Sequence, residues 1–374
     1  METMVRKPKL IIDLGNSETR MYVLDGGKWR TETLSNRFVE LPEGYSLPEE
    51  YKDGNTVLFK FPGVTGLIAN GELVETEFMA MSMRPSALEK KYKSLISELS
   101  LRLVFMKAFE IVNPGINDEI EWNVTILLPP SDLEFGAAQL ADKIKTVGEI
   151  NFMQPKVSKK VNVGNVWVLP EGFSAFMGVL MNKGKVLRKS HAYLANSTTL
   201  VVDIGAGTTD FCIIKNSKLI DNTLDSFELG GNNISQKVRK ALKAEGYSYP
   251  DQEIQEAIIK GFVPDGVVNK DIRDLIDAAK DDVAKSIVGE IQAFFESTQY
   301  PIRTIQYVLV CGGGAEEHED SDMRSLADYV VKHLKSLSKN IEKVELPQIR
   351  GTDGNLKDVS ARRLNIMGAT ILSE

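Results

Sequence analysis

The sequence predicts an α/β protein made of two duplicated domains, each a sheet covered by helices on both faces, with a small inserted subdomain in the first. The main observation is that residues 10–23 and 200–213 follow one pattern: a strand ending in Asp, a turn containing Gly, and a second strand. Each copy precedes an alternation of strand and helix patterns, which is typical of helix-covered sheets. At 374 residues the chain is also long for a single hydrophobic core.

The first half continues from its hairpin into a region rich in Pro and Gly, about residues 30–84, which we interpret as the small inserted subdomain. Apolar residues then recur at helical spacing over 86–112 and predict an amphipathic helix capped by Ser86. The remaining elements predicted for this half are a strand at 122–128, a helix beginning near Ser131 and a strand at 166–169.

The second half follows a similar plan after its own hairpin. Periodicity predicts helices at 232–245 and 271–295, a strand at 308–311, and helices at 323–337 and 359–371, the last containing Gly368. Two domains related by an internal duplication account for the whole chain.

Composition and charge exclude several classes of protein. Hydrophobic residues make up 43% and charged residues 26% of the chain, as in ordinary globular proteins. The net charge of -7 argues against a broad basic surface for nucleic acid. No apolar stretch resembles a signal peptide or reaches the length of a membrane span, so we expect a cytoplasmic protein without direct membrane contact. Cys212 and Cys311 lie in apolar strand patterns and are expected to be buried and reduced.

The turn of the first hairpin contains residue types that suit a phosphate. Asp13 closes the apolar strand, and Gly15, Asn16 and Ser17 supply a permissive backbone, amides and short polar side chains. Arg20 lies on the returning strand and shares a face with Glu18. Taken alone, this segment is equally compatible with an ordinary hairpin that binds no ligand.

The second hairpin is more specific. Gly205, Gly207, Thr208 and Thr209 place two glycines and two hydroxyls in one turn, which is more than a chain reversal requires. Asp203 ends a buried strand, where open α/β sheets bind their ligands. Together the two copies indicate a metal-bound polyphosphate, because carboxylates can hold the cation through water while turn N–H groups bind phosphate oxygens.

Other segments carry weaker signals. Gly312, Gly313 and Gly314 follow a predicted strand, and Gly230 and Gly231 precede a predicted helix; both runs allow the backbone to approach a nucleotide. Glu171 follows another strand and could orient a water for attack on a terminal phosphate. The competing interpretation is a first-turn acid that is favoured by the helix dipole. No P-loop or protein-kinase motif is present.

These segments, in this order, resemble the actin-like ATPase superfamily over nearly the whole chain. The matching motifs are phosphate-1 at 13–20, connect-1 at 170–178, phosphate-2 at 203–210, the adenosine motif at 310–315 and connect-2 at 365–370. The resemblance implies two actin-like, ribonuclease H-like domains with a nucleotide cleft between them. Domain I would comprise 1–170 with 355–374, and domain II would comprise 171–354.

The resemblance also implies roles for individual residues. Asp13 and Asp203 would hold Mg²⁺ through water, and Glu171 and Asp203 would act on the attacking water. The residues implied at the phosphates are Gly15, Asn16, Ser17, Arg20, Gly205, Gly207, Thr208 and Thr209. Those implied at the nucleoside are Gly230, Gly231, Gly312, Gly313 and Gly314.

Within the superfamily, the chain resembles ParM-type plasmid-segregation actins and archaeal actin-like proteins. Their compact subdomain resembles the insertion at about 30–84, and Arg20 stands where actin and these filaments carry a phosphate-contacting Lys. The planar guanidinium is a departure, since it is not a point charge. We therefore expect an ATP (or GTP) hydrolase that forms nucleotide-dependent filaments and moves a plasmid through a DNA-bound adaptor. A non-polymerising small-molecule kinase of the same fold and an FtsA/MreB-like scaffold remain alternatives.

Overall fold

The structure is a computed structural model that describes residues 4–52, 55–86, 89–115, 118–154, 156–182, 184–220, 222–265, 268–315, 323–345 and 361–373. The chain forms two compact units. Of the described residues, those in 4–128 and 132–170, with Ser373, form the first unit, and those in 129–131 and 171–372 form the second.

The first unit contains two sheets. Its strands are β1 (Met4–Arg6), β2 (Lys9–Leu14), β3 (Glu18–Asp25), β4 (Lys28–Ser35), β5 (Phe38–Leu41), β6 (Val57–Phe59), β7 (Leu67–Asn70), β8 (Asp118–Leu128), β9 (Glu149–Gln154), β10 (Lys156–Lys160) and β11 (Asn162–Pro170). Its helices are α1 (Glu72–Thr76), α2 (Leu95–Val112) and α3 (Pro130–Lys145).

The main sheet of this unit runs in the order β4, β3, β2, β8, with β1 and β11 also paired to β8. β2, β3 and β4 are antiparallel, whereas β8 is parallel to β2 and to β11. Phe105 and Phe109 of α2 contact the fully buried Trp122 of β8 edge to face, with ring centroids 6.1 and 5.3 Å apart. This core places Asp13 at the carboxyl end of a central strand.

The inserted subdomain has its own small sheet, in the order β10, β9, β6, β7, β5, and its own apolar cluster around Val39, Leu58 and Leu73. Its limits differ from the predicted 30–84. β4, which ends at Ser35, belongs to the main sheet, and β9 and β10 complete the small sheet from residues 149–160. The partner of a strand is set by contacts distant in sequence, which periodicity does not report.

The predicted helix at 86–112 begins later than expected. α2 starts at Leu95, and its cap is Ser94 rather than Ser86, with the Ser97 N–H donating to Ser94 Oγ at 3.4 Å. The preceding segment is held by buried Asp132, which accepts from the Lys91 N–H at 3.1 Å and pairs with Lys90 Nζ at 3.0 Å. Contacts with Asp132, which is distant in sequence, therefore keep this segment out of the helix although its apolar residues recur at helical spacing.

The second unit is built around one larger sheet. Its strands are β12 (Met181–Asn182), β13 (Val186–Leu187), β14 (Thr198–Ile204), β15 (Thr209–Lys215), β16 (Lys218–Leu219), β17 (Asp225–Phe227), β18 (Phe262–Asp265), β19 (Val268–Asp271), β20 (Tyr307–Cys311) and β21 (Lys343–Glu345). Its helices are α4 (Phe173–Leu180), α5 (Gly231–Ala244), α6 (Asp251–Lys260), α7 (Arg273–Thr298), α8 (Leu326–Leu334) and α9 (Leu364–Ser373), of which α9 joins this unit through Leu372.

The large sheet runs β16, β15, β14, β20, β21, with β17 also paired to β15. The β14–β15 hairpin is antiparallel, and β14, β20 and β21 are parallel. The core β15-β14-β20-β21 repeats β3-β2-β8-β11 of the first unit, which confirms the predicted duplication. Cys212 and Cys311 lie in β15 and β20, and both are free and fully buried, as expected.

The C-terminal helix groups with the second unit, whereas residues 355–374 were expected in domain I. The reason is close packing of α9 on α4. A Cβ at Gly368 would lie 1.6 Å from the Ser174 carbonyl oxygen, and one at Gly178 would lie 2.9 Å from that of Leu364. Residues 355–360 of the predicted segment lie outside the described part of the chain.

A polar cluster fixes the edge strand β21. Glu345 accepts a hydrogen bond from Tyr193 Oη at 2.6 Å and lies 2.9 Å from Lys343 Nζ and 3.5 Å from His191 Nε2. Burial raises the pKa of Glu345, but the hydrogen bonds from His191, Tyr193 and Lys343 outweigh burial and lower this pKa to about 2. The ionised carboxylate therefore joins β21 to the segment before β14.

We predict that Glu345→Gln removes part of the acid sensitivity of the fold. The pKa of Glu345 in the folded protein lies below the ordinary glutamate value of 4.5, so the carboxylate contributes stability above pH 4.5 and loses it as pH falls toward about 2. Urea unfolding of wild type and variant from neutral pH to pH ~3 should show their stabilities converging at low pH. Glu290→Gln on the exposed face of α7 serves as the control and should follow wild type. A constant difference between Glu345→Gln and wild type at every pH would contradict the prediction.

Among the described residues, no helix has both the length and the apolarity that crossing a membrane requires.

Candidate functional site

The first hairpin carries a cluster of one guanidinium and two carboxylates. Asp13 of β2 pairs directly with Arg20 of β3, and Arg20 Nη1 lies 3.3 Å from Asp13 Oδ2. The other terminal nitrogen of Arg20 donates to Glu18 Oε1. Arg20 and Glu18 therefore share a face, as predicted, and form an ion pair on it. The Arg20 guanidinium is held by the carboxylates of its own hairpin.

Asn36 supports the turn of this hairpin and was not identified from the sequence. Its side chain is almost fully buried and donates from Nδ2 to the Gly15 carbonyl at 2.5 Å. Its Oδ1 accepts from Thr19 Oγ1 at 2.7 Å and from Ser100 Oγ at 2.9 Å. Gly15 itself has no room for a side chain, since a Cβ would lie 2.7 Å from the Glu18 carbonyl oxygen. The Asn36 side-chain amide therefore holds the turn that contains Asn16 and Ser17.

The second hairpin has a different charge pattern at the same register. Asp203 lies directly opposite Asp210, where the first hairpin has Arg20 opposite Asp13. Both aspartates are buried, at 5% and 4% exposure, and Thr208 Oγ1 donates to Asp210 Oδ2 at 3.3 Å. The Gly205 N–H closes the turn on the Thr208 carbonyl at 2.8 Å. Two carboxyl groups directly opposite each other repel when both are ionised, whereas the first hairpin has an ion pair at this position.

The glycine run after β20 packs against Asp203. Gly312 has a φ of +90°, and a Cβ there would lie 2.2 Å from Asp203 Oδ1 and 2.5 Å from the Ile204 carbonyl oxygen. A Cβ at Gly314 would lie 2.6 Å from Ile204 Cγ2. Only glycine allows both the positive φ and the close approach to Asp203 at position 312. The backbone therefore packs directly against the Asp203 carboxylate.

The start of α5 packs on the turn of the same hairpin. The N–H groups of Gly231 and Asn232 donate to the carbonyls of Gly205 and Ala206 at 3.1 and 2.7 Å. A Cβ at Gly230 would lie 2.6 Å from the Gly205 carbonyl oxygen. These helix N–H groups are therefore bonded to the protein, and Gly230 provides the close approach that allows it, since a Cβ at Gly231 would meet nothing nearer than 3.9 Å.

Asn365 connects Asp203 to the Glu171 segment. Its Nδ2 donates to Asp203 Oδ2, and its Oδ1 accepts from the Gly172 N–H at 2.9 Å. Glu171, only 8% exposed, is the residue before Gly172. The sequence placed Asn365 at the start of connect-2 without a role, because no local pattern indicates which carboxylate an asparagine will bind.

The structure brings most of the predicted residues of each unit together. In the second unit, Asp203 lies beside Gly312, and Asn365 connects it to the backbone next to Glu171. Thr209 differs from the expectation of an available hydroxyl, since its Oγ1 is buried and donates to the Leu229 carbonyl at 2.7 Å. Gly207 and Gly313 lie in the same two turns.

Neither cysteine is suited to nucleophilic chemistry. Burial, with the Asp203 and Asp210 carboxylates as a further cause, raises the pKa of Cys212 far above its ordinary value. Burial raises the pKa of Cys311 in the same direction. Within the described ranges, no cluster of three or more His, Cys, Asp or Glu side chains could bind a metal ion directly.

We predict that Gly312→Ala destabilises the protein, because the new methyl group collides with Asp203 and the backbone φ is strained. The expected loss is about 1–3 kcal/mol of unfolding free energy, measured by urea denaturation. The matched control is Gly289→Ala in the middle of α7, where a Cβ meets nothing within 4 Å. That substitution should stabilise the protein slightly, because alanine favours helix. Equal effects of the two substitutions would contradict the close approach at Gly312.

Comparison with known proteins agrees with this geometry. Residues 201–321, which carry the second hairpin and the glycine run, match the family "Archaeal actin homologue MreB-like, C-terminal". Actin-like protein MamK of Paramagnetospirillum magneticum is 24% identical over an alignment of 178 residues, and the match covers 42% of this chain and 50% of MamK. The chain thus spans half the length of that curated relative.

Solved structures match the whole chain in fold. Alp7A, an actin-like protein, has a TM-score of 0.71 at 17% identity, covering 99% of this chain and 96% of its own. ParM of Bacillus thuringiensis with ATP has a TM-score of 0.62 at 15% identity, with 99% and 98% covered. A 15-stranded ParM filament from Clostridium botulinum has a TM-score of 0.63 at 14% identity, with 97% and 98% covered. The duplicated sheets, the doubled Asp hairpin and these matches together show that the chain has the actin-like fold, and that residues 201–321 resemble the archaeal actin homologues.

Proposed function

We propose that this protein binds and hydrolyses ATP with Mg²⁺ and assembles into filaments of its own copies when nucleotide is bound. The observation that carries the proposal is the environment of Asp203. This buried carboxylate ends a central strand, accepts from Asn365 and lies against the Gly312 backbone. Such an arrangement orients a carboxylate at the edge of a sheet where α/β proteins bind ligands.

The charges of the two hairpins suit different parts of a metal nucleotide. Asp203 and Asp210 face each other and favour a cation, so we assign Mg²⁺ binding through water to Asp203 and, with a smaller share, to Asp13. Arg20 partly neutralises Asp13 and Glu18, which makes the first turn the better place for phosphate oxygens. Bound Mg²⁺ would neutralise phosphate charge and polarise the transferring phosphoryl group.

The phosphate and nucleoside assignments follow from the turns themselves. Gly15, Asn16 and Ser17 in the first turn, and Gly205, Gly207 and Thr208 in the second, present backbone and short side chains to phosphates. Gly312, Gly313 and Gly314 offer a flat backbone surface to the nucleoside. ATP is the nucleotide we propose over GTP, since a ParM of the same fold is solved with ATP.

Two carboxylates are proposed to act on the attacking water. Glu171 and Asp203 are joined through the Gly172 N–H and the Asn365 side chain. Glu171 would orient the water and take up its proton, while Asn365 keeps Asp203 in place and acts as a positioning residue.

We predict that Glu171→Gln and Asp203→Asn each lower the rate of phosphate release by about 100-fold or more. The reason is that both substitutions keep the side-chain shape but remove the charge. Phosphate release is measured with saturating Mg-ATP, and the melting temperature is recorded to show that each variant folds. Glu296→Ala on an exposed helix face should leave the rate unchanged. A wild-type rate in both catalytic variants would contradict the assignment.

We further propose that filament formation serves plasmid or DNA segregation in the cytoplasm, through a DNA-bound adaptor. The resemblance to ParM-type actins supports this proposal, as does the solved ParM filament of the same fold. The net charge of -7 is consistent with an adaptor rather than a broad DNA-binding surface of the protein itself.

We predict that the wild-type protein sediments as large assemblies with Mg-ATP or a non-hydrolysable analogue. Assemblies formed with ATP should disperse as hydrolysis proceeds, whereas those formed with the analogue should persist, because nucleotide state biases the conformation that assembles. High-speed sedimentation and light scattering measure this. A protein that stays monomeric under every nucleotide condition would contradict the filament proposal.

A further inference from the structure

A basic and apolar β-hairpin is exposed on the second unit. It is formed by β12 and β13 together with Arg188 and Lys189, and we call it the basic hairpin. Val186 and Leu187 are 59% and 44% exposed, so two consecutive apolar side chains lie at the surface. Lys185 and Lys189 are also exposed, although Lys185 reaches the Leu372 carbonyl at 3.4 Å.

The hairpin is held firmly at its base. Arg188 donates from its backbone N–H to the Leu180 carbonyl and from Nε to the Met181 carbonyl, both at 2.9 Å. These bonds tie the hairpin to the end of α4. The exposed side chains of Val186 and Leu187 are thus presented next to an anchored residue, which lowers the entropic cost of binding a partner.

A groove of the opposite character lies on the first unit. We call it the acidic groove, and it has a volume of about 730 Å³ between β4, α1 and the end of α2. Its charged lining consists of Glu32, Glu72, Glu75, Glu110 and Lys107. Lys107 Nζ already binds Glu110 at 2.9 Å, so four carboxylates and one ammonium leave a formal charge of -3. Buried Leu34, Val57 and Leu103 contribute an apolar floor.

The two surfaces complement each other in charge and polarity. Lys185, Arg188 and Lys189 bring three positive charges to the hairpin, against the formal charge of -3 of the groove lining. Val186 and Leu187 would lose water against the apolar floor. An arrangement of this kind raises the rate and the specificity of association.

We propose that the basic hairpin of one copy of this chain docks in the acidic groove of a second copy. The contact uses two different surfaces, so it is heterologous, and each added copy leaves one hairpin and one groove available for the next. Repetition therefore builds an open chain. This inference rests on the proposed filament and names the contact that would propagate it.

Two charge-reversal variants test the pairing. The hairpin variant is Lys185→Glu with Lys189→Glu, and the groove variant is Glu32→Lys with Glu75→Lys. Each variant alone presents like charges at every contact, so each should sediment about tenfold less with Mg-ATP than wild type. An equimolar mixture should assemble again, because each hairpin then meets a groove of opposite charge in an alternating chain.

The controls separate failure of this contact from failure of the filament proposal. Lys240→Glu with Glu290→Lys, on exposed helix positions, should assemble as wild type does. If wild type assembles and both reversal variants assemble equally well, the contact is wrong while the filament proposal stands. If each variant fails and the mixture also fails, the two surfaces bind other partners and the pairing is wrong. A wild-type protein that never assembles would overturn both proposals.

Discussion

Burial of the Asp203 carboxylate is the constraint around which the second unit is arranged. A charged group removed from water is costly unless hydrogen bonds or opposite charge compensate it. Asn365 supplies one such bond from α9, at a separation of 162 residues along the chain. Gly312 supplies room, since any side chain there would occupy the position of Asp203 Oδ1. The place of α9 in the second unit is therefore part of how this carboxylate is held.

The same constraint explains how the backbone around Glu171 is tied to Asp203. The Asn365 amide bonds both Asp203 and the Gly172 N–H, so one side chain sets the carboxylate and the backbone next to Glu171 together. A substitution of Asn365 would disturb the positions of two proposed catalytic groups without changing the charge of either. In the first unit, Asn36 has a comparable place, since it holds Gly15 through one end of its amide and Thr19 and Ser100 through the other.

The two duplicated hairpins share a backbone arrangement but differ in the charge of the residue opposite the Asp. Both hairpins pair an Asp with the residue directly opposite, yet this partner is Arg20 in one copy and Asp210 in the other. An ion pair and a pair of facing acidic side chains create different local potentials on similar scaffolds. The unequal partners make the first hairpin less negative than the second, because Arg20 compensates part of the charge of Asp13 and Glu18. A similar division of charge between the basic hairpin and the acidic groove underlies the proposed contact between copies.

The sequence by itself determined the two hairpins, the duplication and most of the helices and strands of the main sheets, because these depend on local apolar periodicity and on Asp and Gly at strand ends. Only the tertiary structure decided where α2 begins, since Asp132 holds the segment before it. It also decided that β9 and β10 complete the sheet of the inserted subdomain, and that α9 joins the second unit. The roles of Asn36 and Asn365 were likewise settled by structure. The physical reason is common to these cases: periodicity reports which face of an element is buried, whereas the partner of a polar group or an edge strand lies far away along the chain.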